Sequence, residues 1–248
     1  MSVRGVFVTG TDTGVGKTVV AAALLAVIRR SGIDAVPMKP VQTGGVRSGD
    51  GWIAPDIRFC LAAAGLAPSG DEERLMAPYC FEPECSPHLA AANAEAPISL
   101  DRMRDDFAAL KKSHDLVVVE GAGGVLVPLS DRLTMLDLMT GLRLPVILVA
   151  RPGLGTINHT LLSLRELMRA GLRAAGIVID ESRPTEWGMV EEDNLETIER
   201  MGNVPVLGVM RFIPGLAGGR VSADQFHRAA AACLPPARAL LDRLAALS

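Results

Sequence analysis

Residues Val6 to Thr18 read Val-Phe-Val-Thr-Gly-Thr-Asp-Thr-Gly-Val-Gly-Lys-Thr, and this stretch decides the fold. An apolar run is followed by a glycine-rich turn and then by an amphipathic helical pattern. A phosphate-binding loop needs small residues whose N–H groups surround oxygens, a lysine that reaches the phosphates, and a hydroxyl for Mg²⁺. The stretch therefore predicts a nucleotide site between a first strand and a first helix.

The loop departs from the usual spacing in one respect. Residues from Gly14 to Thr18 fill the expected roles, but the first glycine of the usual pattern falls on Thr11, one residue after Gly10. The alternative is an ordinary glycine-rich turn with a solvated lysine. The strand before the loop and the helix after it favour the nucleotide site.

Composition indicates one large globular α/β domain spanning 1–248. The chain has 248 residues, of which 49% are hydrophobic and 4% aromatic, and its formal net charge is −3. A chain with this net charge is not expected to have the basic surface that neutralises the phosphates of a nucleic acid. The four cysteines form no C-x-x-C pair, so a zinc site is not expected.

The early part of the chain lacks the pattern of a targeting or membrane segment. No basic leader with an apolar core precedes the first strand, and the longest early apolar run, Val19 to Ile28, is about half a membrane span. We therefore expect a cytoplasmic protein with neither a membrane nor a nucleic acid as partner.

Two charged residues follow predicted strands. Lys39 comes after the short strand Asp34 to Met38, and Pro40 restricts it to extended geometry. Glu120 comes after the nearly continuous apolar strand Asp115 to Val119 and precedes four residues rich in glycine. The carboxyl edge of a parallel sheet is where α/β proteins keep metal and phosphate chemistry. A solvated lysine and a surface glutamate opening a turn are the alternatives.

Alternating strands and helices along the chain predict parallel strands with right-handed crossovers, and hence a three-layer α/β sandwich of the P-loop NTPase type. The segment Leu66 to Glu84, rich in proline and charge, is expected to be irregular. The further predicted strands are Pro145–Ala150, Ala174–Ile179 and Val204–Val209. The predicted helices after the first are Ile53–Gly65, Ser86–Asn93, Leu100–Ser113, Thr156–Ala170, Glu186–Met201 and Ser222–Leu247, the last broken at Pro235-Pro236.

With these residues in hand, the chain closely resembles the ATP-dependent dethiobiotin synthetases up to about Val209. Five motifs in the same order carry the resemblance. They are Gly10 to Thr18, Lys39-Pro40-Val41 with Thr43, Ser-Pro-His at Ser86 to His88, Val-Glu-Gly-Ala-Gly-Gly at Val119 to Gly124, and Gly-Thr-Ile-Asn-His at Gly155 to His159.

The resemblance implies an activity. Members of that family convert 7,8-diaminononanoate, CO₂ or bicarbonate and ATP to dethiobiotin, a step of biotin synthesis, with Mg²⁺ as cofactor. They are homodimers in which each diamine site is completed by the neighbouring subunit.

The resemblance also implies roles for residues. Lys17, Lys39 and Thr13 would act on phosphates and carbamate, and Thr18, Asp56 and Glu120 would bind Mg²⁺. Thr43 would hold the substrate, and Gly155, Thr156 and Asn158 of the other subunit would receive its tail carboxylate. The implied nucleotide-binding residues are Gly14, Val15, Gly16, Lys17, Thr18, Val19, Asp56, Glu120, Gly121, Ala122, Gly123 and Asp180.

The chain departs from the family pattern where the base is read. Asp180 stands where many members have asparagine, and an acid cannot donate the amide hydrogen bond used to read adenine. The second base-contacting stretch aligns only loosely with Met210-Arg211-Phe212. We therefore predict activity with ATP and broad selectivity for other nucleoside triphosphates.

Two other enzyme classes share parts of this pattern. Partitioning ATPases of the switch type carry an extra lysine early in the loop, where this chain has Asp12. Ligases of the cobyrinic acid diamide type normally add a glutamine-cleaving domain, for which the chain has no room. A purely structural module does not explain why Lys17, Lys39 and Glu120 all lie at strand ends.

Overall fold

A six-stranded parallel sheet forms the centre of the molecule in the computed structural model, which describes residues 3–49, 51–216 and 218–247. The strands are β1 Gly5–Gly10, β2 Ala35–Met38, β3 Val41–Thr43, β4 Val46–Ser48, β5 Gly51–Ile53, β6 Tyr79–Phe81, β7 Leu116–Gly124, β8 Val146–Ala150, β9 Ala174–Asp180 and β10 Val206–Met210. The helices are α1 Lys17–Arg30, α2 Pro55–Ala64, α3 Gly70–Met76, α4 Pro87–Asn93, α5 Leu100–Ser113, α6 Met135–Leu142, α7 Thr156–Arg169, α8 Met189–Gly202, α9 Ala223–Cys233 and α10 Ala237–Ala245.

The strand order in the sheet is β10-β9-β8-β1-β7-β2, and every neighbouring pair is parallel. Strand β1 lies between β7 and β8. Strand β2 is added on the β7 side, and β9 and β10 are added on the β8 side. The crevice at such a switch point, beyond the carboxyl ends of the strands, is where open α/β sheets bind ligands.

Both faces of the sheet are covered, which explains the nearly continuous apolar strands. Val6 and Val8 of β1 point to the face covered by α1, α9 and α10. Phe7 points to the opposite face, where α5 and α6 cover one half of the sheet and α7 and α8 the other half. The predicted three-layer sandwich with a mostly parallel sheet is therefore confirmed.

Helix α1 is buried on more than the one face that its pattern predicts. All residues from Val20 to Ile28 are buried, because α2 and α9 pack against α1 in addition to the sheet. Arg29 and Arg30 occupy the last turn, where positive charge complements the helix dipole. This helix holds the phosphate loop rigidly against the centre of the sheet.

Three local expectations differ from the structure. The segment 66–84 contains α3 and β6, because β6 pairs with β3 and Ser69 caps α3. The glycine-rich residues after Glu120 continue β7 to Gly124, since Gly10 of β1 pairs with Gly124. Helix α6 was not anticipated, and neither was the short hairpin of β4 and β5.

The two predicted helices of the C-terminal tail are confirmed, with the break at Pro235-Pro236 between α9 and α10. Phe226 and Leu240 of these helices are buried against α1 and its neighbours. Among the described residues, no helix combines the length and apolar character needed to cross a bilayer.

Candidate active site

A cavity of about 830 Å³ opens along the carboxyl edge of the sheet. Its wall is formed by the phosphate loop, by residues that follow β2, β7, β9 and β10, and by the start of α2. The residues that sequence analysis placed at separate strand ends thus share one cavity.

The phosphate loop turns sharply at two glycines before α1 begins. Gly14 and Gly16 have φ angles of 72° and 89°, a region that favours glycine. A Cβ atom at position 16 would also overlap the carboxyl group of Asp180, so no larger residue fits there. The loop consequently presents the free N–H groups of the α1 N-terminus to the cavity, as an anion site requires.

Lys17 begins α1 and is 7% exposed. Its Nζ atom donates a hydrogen bond to the carbonyl oxygen of Asp12 at 2.7 Å. Burial, together with the nearby ammonium of Lys39, lowers the pKa of Lys17 to about 8. A lysine without a carboxylate partner within hydrogen-bond range is available to an incoming polyanion.

Lys39 forms a buried cluster with two carboxylates, which we call the lysine–carboxylate cluster (Lys39, Asp56, Glu120 and the hydroxyl of Thr18). The Nζ atom of Lys39 lies 2.6 Å from Glu120 Oε1 and 2.7 Å from Asp56 Oδ2. Thr18 Oγ1 donates to the same Glu120 Oε1 at 2.8 Å. Lys39 and Glu120 are 5% and 3% exposed. One ammonium therefore contacts two carboxylates that converge on a single point.

The electrostatics of this cluster follow from its burial. Burial alone lowers the pKa of Lys39, but the carboxylates of Glu120 and Asp56 outweigh it, and the pKa of Lys39 rises above its usual value. Burial, with the charge of Asp56 added, raises the pKa of Glu120 despite the ammonium of Lys39. The cluster is thus a place where an additional positive charge is favourable.

Backbone geometry positions each member of the cluster. The N–H group of Lys39 donates to the carbonyl oxygen of Met76 at 2.7 Å, which fixes the residue between β2 and Pro40. Glu120 is held inside β7, between β1 and β2. Asp56 lies in the first turn of α2, and its N–H group donates to Gln42 Oε1 at 3.2 Å.

The oxygen set of the cluster fits Mg²⁺. Asp56, Glu120 and Thr18 supply two carboxylates and a hydroxyl, all hard oxygen donors, around the point that the Lys39 ammonium now contacts. In the described ranges, no three His, Cys, Asp or Glu side chains group closely enough to bind a metal on their own. A site with few carboxylates that phosphate oxygens complete is the usual form for Mg²⁺.

A second acidic group lies at the other end of the cavity, where β9 ends. Both oxygens of Glu181 accept hydrogen bonds: Oε1 from Trp187 Nε1 and from the Arg211 guanidinium, Oε2 from the N–H group of Phe212 at 3.0 Å. The Arg211 guanidinium also lies over the Trp187 ring, 4.1 Å from its centroid. Asp180 is 3% exposed, and its Oδ2 atom has no hydrogen-bond partner within the described part of the chain.

Sequence comparison decides the family. The AAA domain family model matches residues 4–220. ATP-dependent dethiobiotin synthetase BioD from Anaeromyxobacter sp. (strain K) is 47% identical over 214 residues, which cover 86% of this chain and 92% of the relative. The protein of the same name from Methanocaldococcus jannaschii is 34% identical over 210 residues, covering 83% of this chain and 93% of the relative.

The chain belongs to the ATP-dependent dethiobiotin synthetase family. The resemblance that the five sequence motifs indicated is therefore confirmed.

Solved structures support the fold of this dethiobiotin synthetase family member. The septum site-determining protein MinD from Pyrococcus horikoshii, complexed with Mg-ADP, aligns with a TM-score of 0.58 at 17% identity, covering 99% of this chain and 96% of that one. A ParA family ATPase from Chlorobium tepidum aligns with a TM-score of 0.53 at 15% identity, covering 96% and 97%. At these identities the likeness concerns the fold alone.

Most of the site residues predicted for the family line the cavity. They are Thr13, Gly14, Gly16, Lys17, Thr18, Val19, Lys39, Thr43, Asp56, Glu120, Ala122, Gly123 and Asp180. Val15 does not line it, because its side chain is 1% exposed and packs into the core beneath the loop. Gly121 contributes through its carbonyl oxygen, which accepts from Lys39 Nζ at 3.2 Å.

Three predicted substrate residues lie away from this cavity. Gly155 caps α7, and Thr156 and Asn158 lie in the first turn of that helix, next to Leu154, which is 86% exposed. Within a single chain they do not complete the site. Thr156 is 2% exposed, and the role of the three residues toward a neighbouring subunit stays a prediction.

Sequence analysis missed several cavity residues. Phe59, Ile213 and Leu216 form an apolar wall, and Glu84 with Cys85 lines the end near Thr43. Gln42 also lines the cavity, and its Oε1 atom accepts a hydrogen bond from the N–H group of Asp56 at the start of α2. Glu181 had one detectable signal, since it directly follows Asp180 at the predicted end of a strand.

Proposed function

We propose that this chain catalyses the ATP-dependent carboxylation and ring closure of 7,8-diaminononanoate with CO₂ to give dethiobiotin, ADP and phosphate, a step of biotin biosynthesis. The observation that carries this proposal is the cavity in which Lys17, Lys39 and the two carboxylates meet the N-terminus of α1. Family membership supplies the substrate. The proposal includes a cytoplasmic location.

Nucleotide binding begins at the phosphate loop. The triphosphate lies at the N-terminus of α1, where unpaired N–H groups and the helix dipole favour negative charge. Lys17 contacts its phosphate oxygens, because its ammonium donates to the carbonyl oxygen of Asp12 and forms no salt bridge with the carboxylates of the described residues. Thr18, Asp56 and Glu120 hold Mg²⁺, which when bound neutralises charge on the phosphates.

Lys39 acts on the reacting groups. The substrate amine adds to CO₂ and loses a proton, which gives a carbamate anion, and a carbamate oxygen then attacks the γ-phosphorus while ADP leaves. Two anions must approach each other in line, so positioning and charge neutralisation supply most of the catalysis. The ammonium of Lys39 neutralises the carbamate, Thr13 faces the same groups, and Thr43 holds the substrate at the cavity wall.

Ring closure needs no nucleophile from the protein. The carbamic–phosphoric anhydride is already activated, so the second amine attacks its carbonyl carbon, the bond to phosphate breaks, and a cyclic urea forms. The cavity has to hold the amine near the anhydride and to limit access of water. The lining supplies two lysines, Lys17 and Lys39, for the charge neutralisation that the reaction requires.

The proposal includes a homodimer in which α7 of the neighbouring subunit completes the substrate site. Gly155 to Asn158 would bind the tail carboxylate of the diamine at the α7 N-terminus. Exposed apolar side chains beside this helix support an interface there. Leu154, Leu162 and Met168 are 86%, 56% and 69% exposed.

The direct test of the reaction is incubation of the purified protein with labelled bicarbonate, 7,8-diaminononanoate and Mg-ATP. We expect acid-stable label in dethiobiotin, with one ADP formed per product. Reactions without diamine, and reactions with Lys39→Ala, serve as controls. A complete reaction that leaves no acid-stable label would contradict the proposed activity.

Complementation tests the shared site. Homodimers of Lys39→Ala and of Asn158→Asp should both be inactive, because the first change removes the ammonium from its own chain's site and the second places negative charge beside the tail carboxylate in the neighbouring chain's site. Mixed subunits restore one complete site in a heterodimer, so an equal mixture should regain about one quarter of wild-type activity after exchange. A mixture that exchanges subunits and stays inactive would mean that α7 serves its own chain or none.

A further inference from the structure

Gln42 is a buried amide that lies between two parts of the proposed site. It belongs to β3, lines the cavity and is 5% exposed. Thr43, which is expected to hold the substrate, is its neighbour in β3, and Asp56, which is expected to bind Mg²⁺, lies in the first turn of α2. The proposed reaction gives Gln42 no role, although it contacts two residues that have one.

The Gln42 side chain makes two hydrogen bonds of opposite sense. Its Nε2 atom donates to the carbonyl oxygen of Thr43 at 2.7 Å, and its Oε1 atom accepts from the N–H group of Asp56 at 3.2 Å. A buried amide that is paired through both its donor and its acceptor is held in one orientation. A carboxylate here would keep the acceptor and lose the donor, whereas a thioether would lose the donor and leave only a weak acceptor.

The start of α2 needs the acceptor that Gln42 supplies. The first N–H groups of a helix have no partner within the helix, and a side chain at the N-cap position usually provides one. The N-cap of α2 is Ala54, which has no side-chain oxygen, and Pro55 has no N–H group. The N–H group of Asp56 is therefore the first in α2 that requires a partner, and it finds one on β3.

Asp56 depends on such support more than the other carboxylate of the lysine–carboxylate cluster does. Glu120 lies inside β7, between two strands of the central sheet, and its side chain is 4% exposed. The Asp56 side chain is 26% exposed and lies at a helix end outside that sheet. Strand β3 also lies outside it, in a two-stranded sheet with β6. Local contacts therefore set the position of Asp56 relative to Thr43, and Gln42 contacts both residues.

We propose that Gln42 is a positioning residue that couples the Mg²⁺ site to the substrate site. Through Oε1 it holds Asp56 where the Oδ2 atom of that residue reaches the lysine–carboxylate cluster, and through Nε2 it fixes the peptide group of Thr43. Loss of a residue that orients a metal ligand typically weakens metal binding roughly 10–100-fold. The inference rests on the proposed function, because it takes Asp56 as a Mg²⁺ ligand and Thr43 as a substrate contact.

The first test replaces Gln42 by methionine, which has a similar length and no donor. Calorimetric titration with ADP at several Mg²⁺ concentrations gives the Mg²⁺ concentration for half-maximal enhancement of ADP binding, and the product assay gives the KM for 7,8-diaminononanoate. Both quantities should rise about ten-fold in Gln42→Met, while ADP affinity in EDTA should stay within about two-fold of the wild type.

Gln225→Met is the matched control. Gln225 is exposed on α9, and its Oε1 atom accepts from the N–H group of Ser222 at 2.9 Å, so this glutamine also supports the start of a helix. It does not line the cavity. The control variant should therefore change neither the Mg²⁺ dependence nor the KM for the diamine.

A second variant separates the two contacts of Gln42. Gln42→Glu keeps an acceptor for the N–H group of Asp56 and loses the donor to Thr43. Its Mg²⁺ dependence should stay within about three-fold of the wild type, while its KM for the diamine should still rise about ten-fold. This variant decides the proposal if Gln42→Met does not fold.

The outcomes separate positioning from stability alone. If Gln42→Met unfolds at lower temperature but keeps the wild-type Mg²⁺ dependence and KM, the proposed coupling is overturned. A change in only one of the two quantities in Gln42→Met, or an unchanged KM in Gln42→Glu, would overturn it as well. Absence of labelled dethiobiotin from the wild type would instead overturn the proposed function, and the Mg²⁺ dependence of ADP binding would still decide whether Gln42 positions Asp56.

Discussion

Acidic side chains have different hydrogen-bond partners at the two ends of the active-site cavity. At the lysine–carboxylate cluster, Glu120 and Asp56 are both paired with one ammonium at 2.6 and 2.7 Å. At the end of β9, Glu181 takes three donors while Asp180 Oδ2 has none in the described chain. The Lys39 ammonium offsets negative charge at the first end, whereas burial, followed by the charge of Glu181, raises the pKa of Asp180 to about 7 at the second. Similar residue types therefore have a cationic partner at one end of the cavity and an unpartnered oxygen at the other.

The largest effect is expected from Lys39→Ala. Turnover should fall about 1,000-fold, because the group that neutralises the carbamate is lost, while affinity for Mg-ATP changes little. The variant should also unfold at lower temperature in EDTA, since the buried Glu120 and the half-buried Asp56 lose their partner, and Mg²⁺ should restore part of that loss. Product assays, calorimetry and thermal unfolding measure the three effects. Lys112→Ala, an exposed lysine on α5, is the matched control.

Lys17→Ala should act on binding and turnover together. The ammonium of Lys17 contacts the phosphates in the ground state, so its removal should weaken Mg-ATP binding roughly 100-fold. Calorimetric titration of both lysine variants gives the comparison directly. Equal losses of ATP affinity in the two variants would mean that the lysines do not divide phosphate and carbamate between them.

The smallest of these effects concerns the stability cost of Asp180. Its pKa is raised to about 7 in the folded state, so the wild type loses stability as pH rises from the unfolded value toward 7. Asp180→Asn cannot ionise and should avoid this loss. Its advantage in free energy of unfolding should grow by about 2 kcal/mol between pH 5 and pH 8 and then level off. Urea unfolding at several pH values measures it, and a constant difference would show that Asp180 is ionised throughout.

Sequence reasoning located the site through strand ends. The phosphate loop, Lys39 and Glu120 were each identified locally, and the parallel topology brings such positions to one edge of the sheet. The contact of Lys39 with both Asp56 and Glu120 was not predictable. It brings together residues of β7 and α2 that are far apart in the chain. The pairing of β3 with β6 was not predicted for the same reason, since the two strands are far apart in the chain.

The state of Asp180 shows a second limit. Sequence identifies the residue as an acid and places it at the end of a strand, but not whether it meets a cation there. In this molecule the guanidinium of Arg211, which lines the same cavity, pairs with Glu181 instead. That contact joins the end of β9 to the segment after β10. Ionisation depends on such contacts, so the chemistry of a site residue can differ from that of its residue type.

The position of Lys39 has a consequence for how the site is loaded. Its ammonium is a covalently attached counter-ion that offsets part of the negative charge of the two carboxylates before any ligand binds. On the proposed function, Mg-nucleotide binding becomes an ion exchange: Lys39 leaves the carboxylates when a mobile cation replaces it. The released ammonium is then free at the moment when a carbamate needs a partner. Substrate binding would thus be ordered. Mg-nucleotide binds first and releases Lys39 from the carboxylates, and Lys39 then pairs with the carbamate.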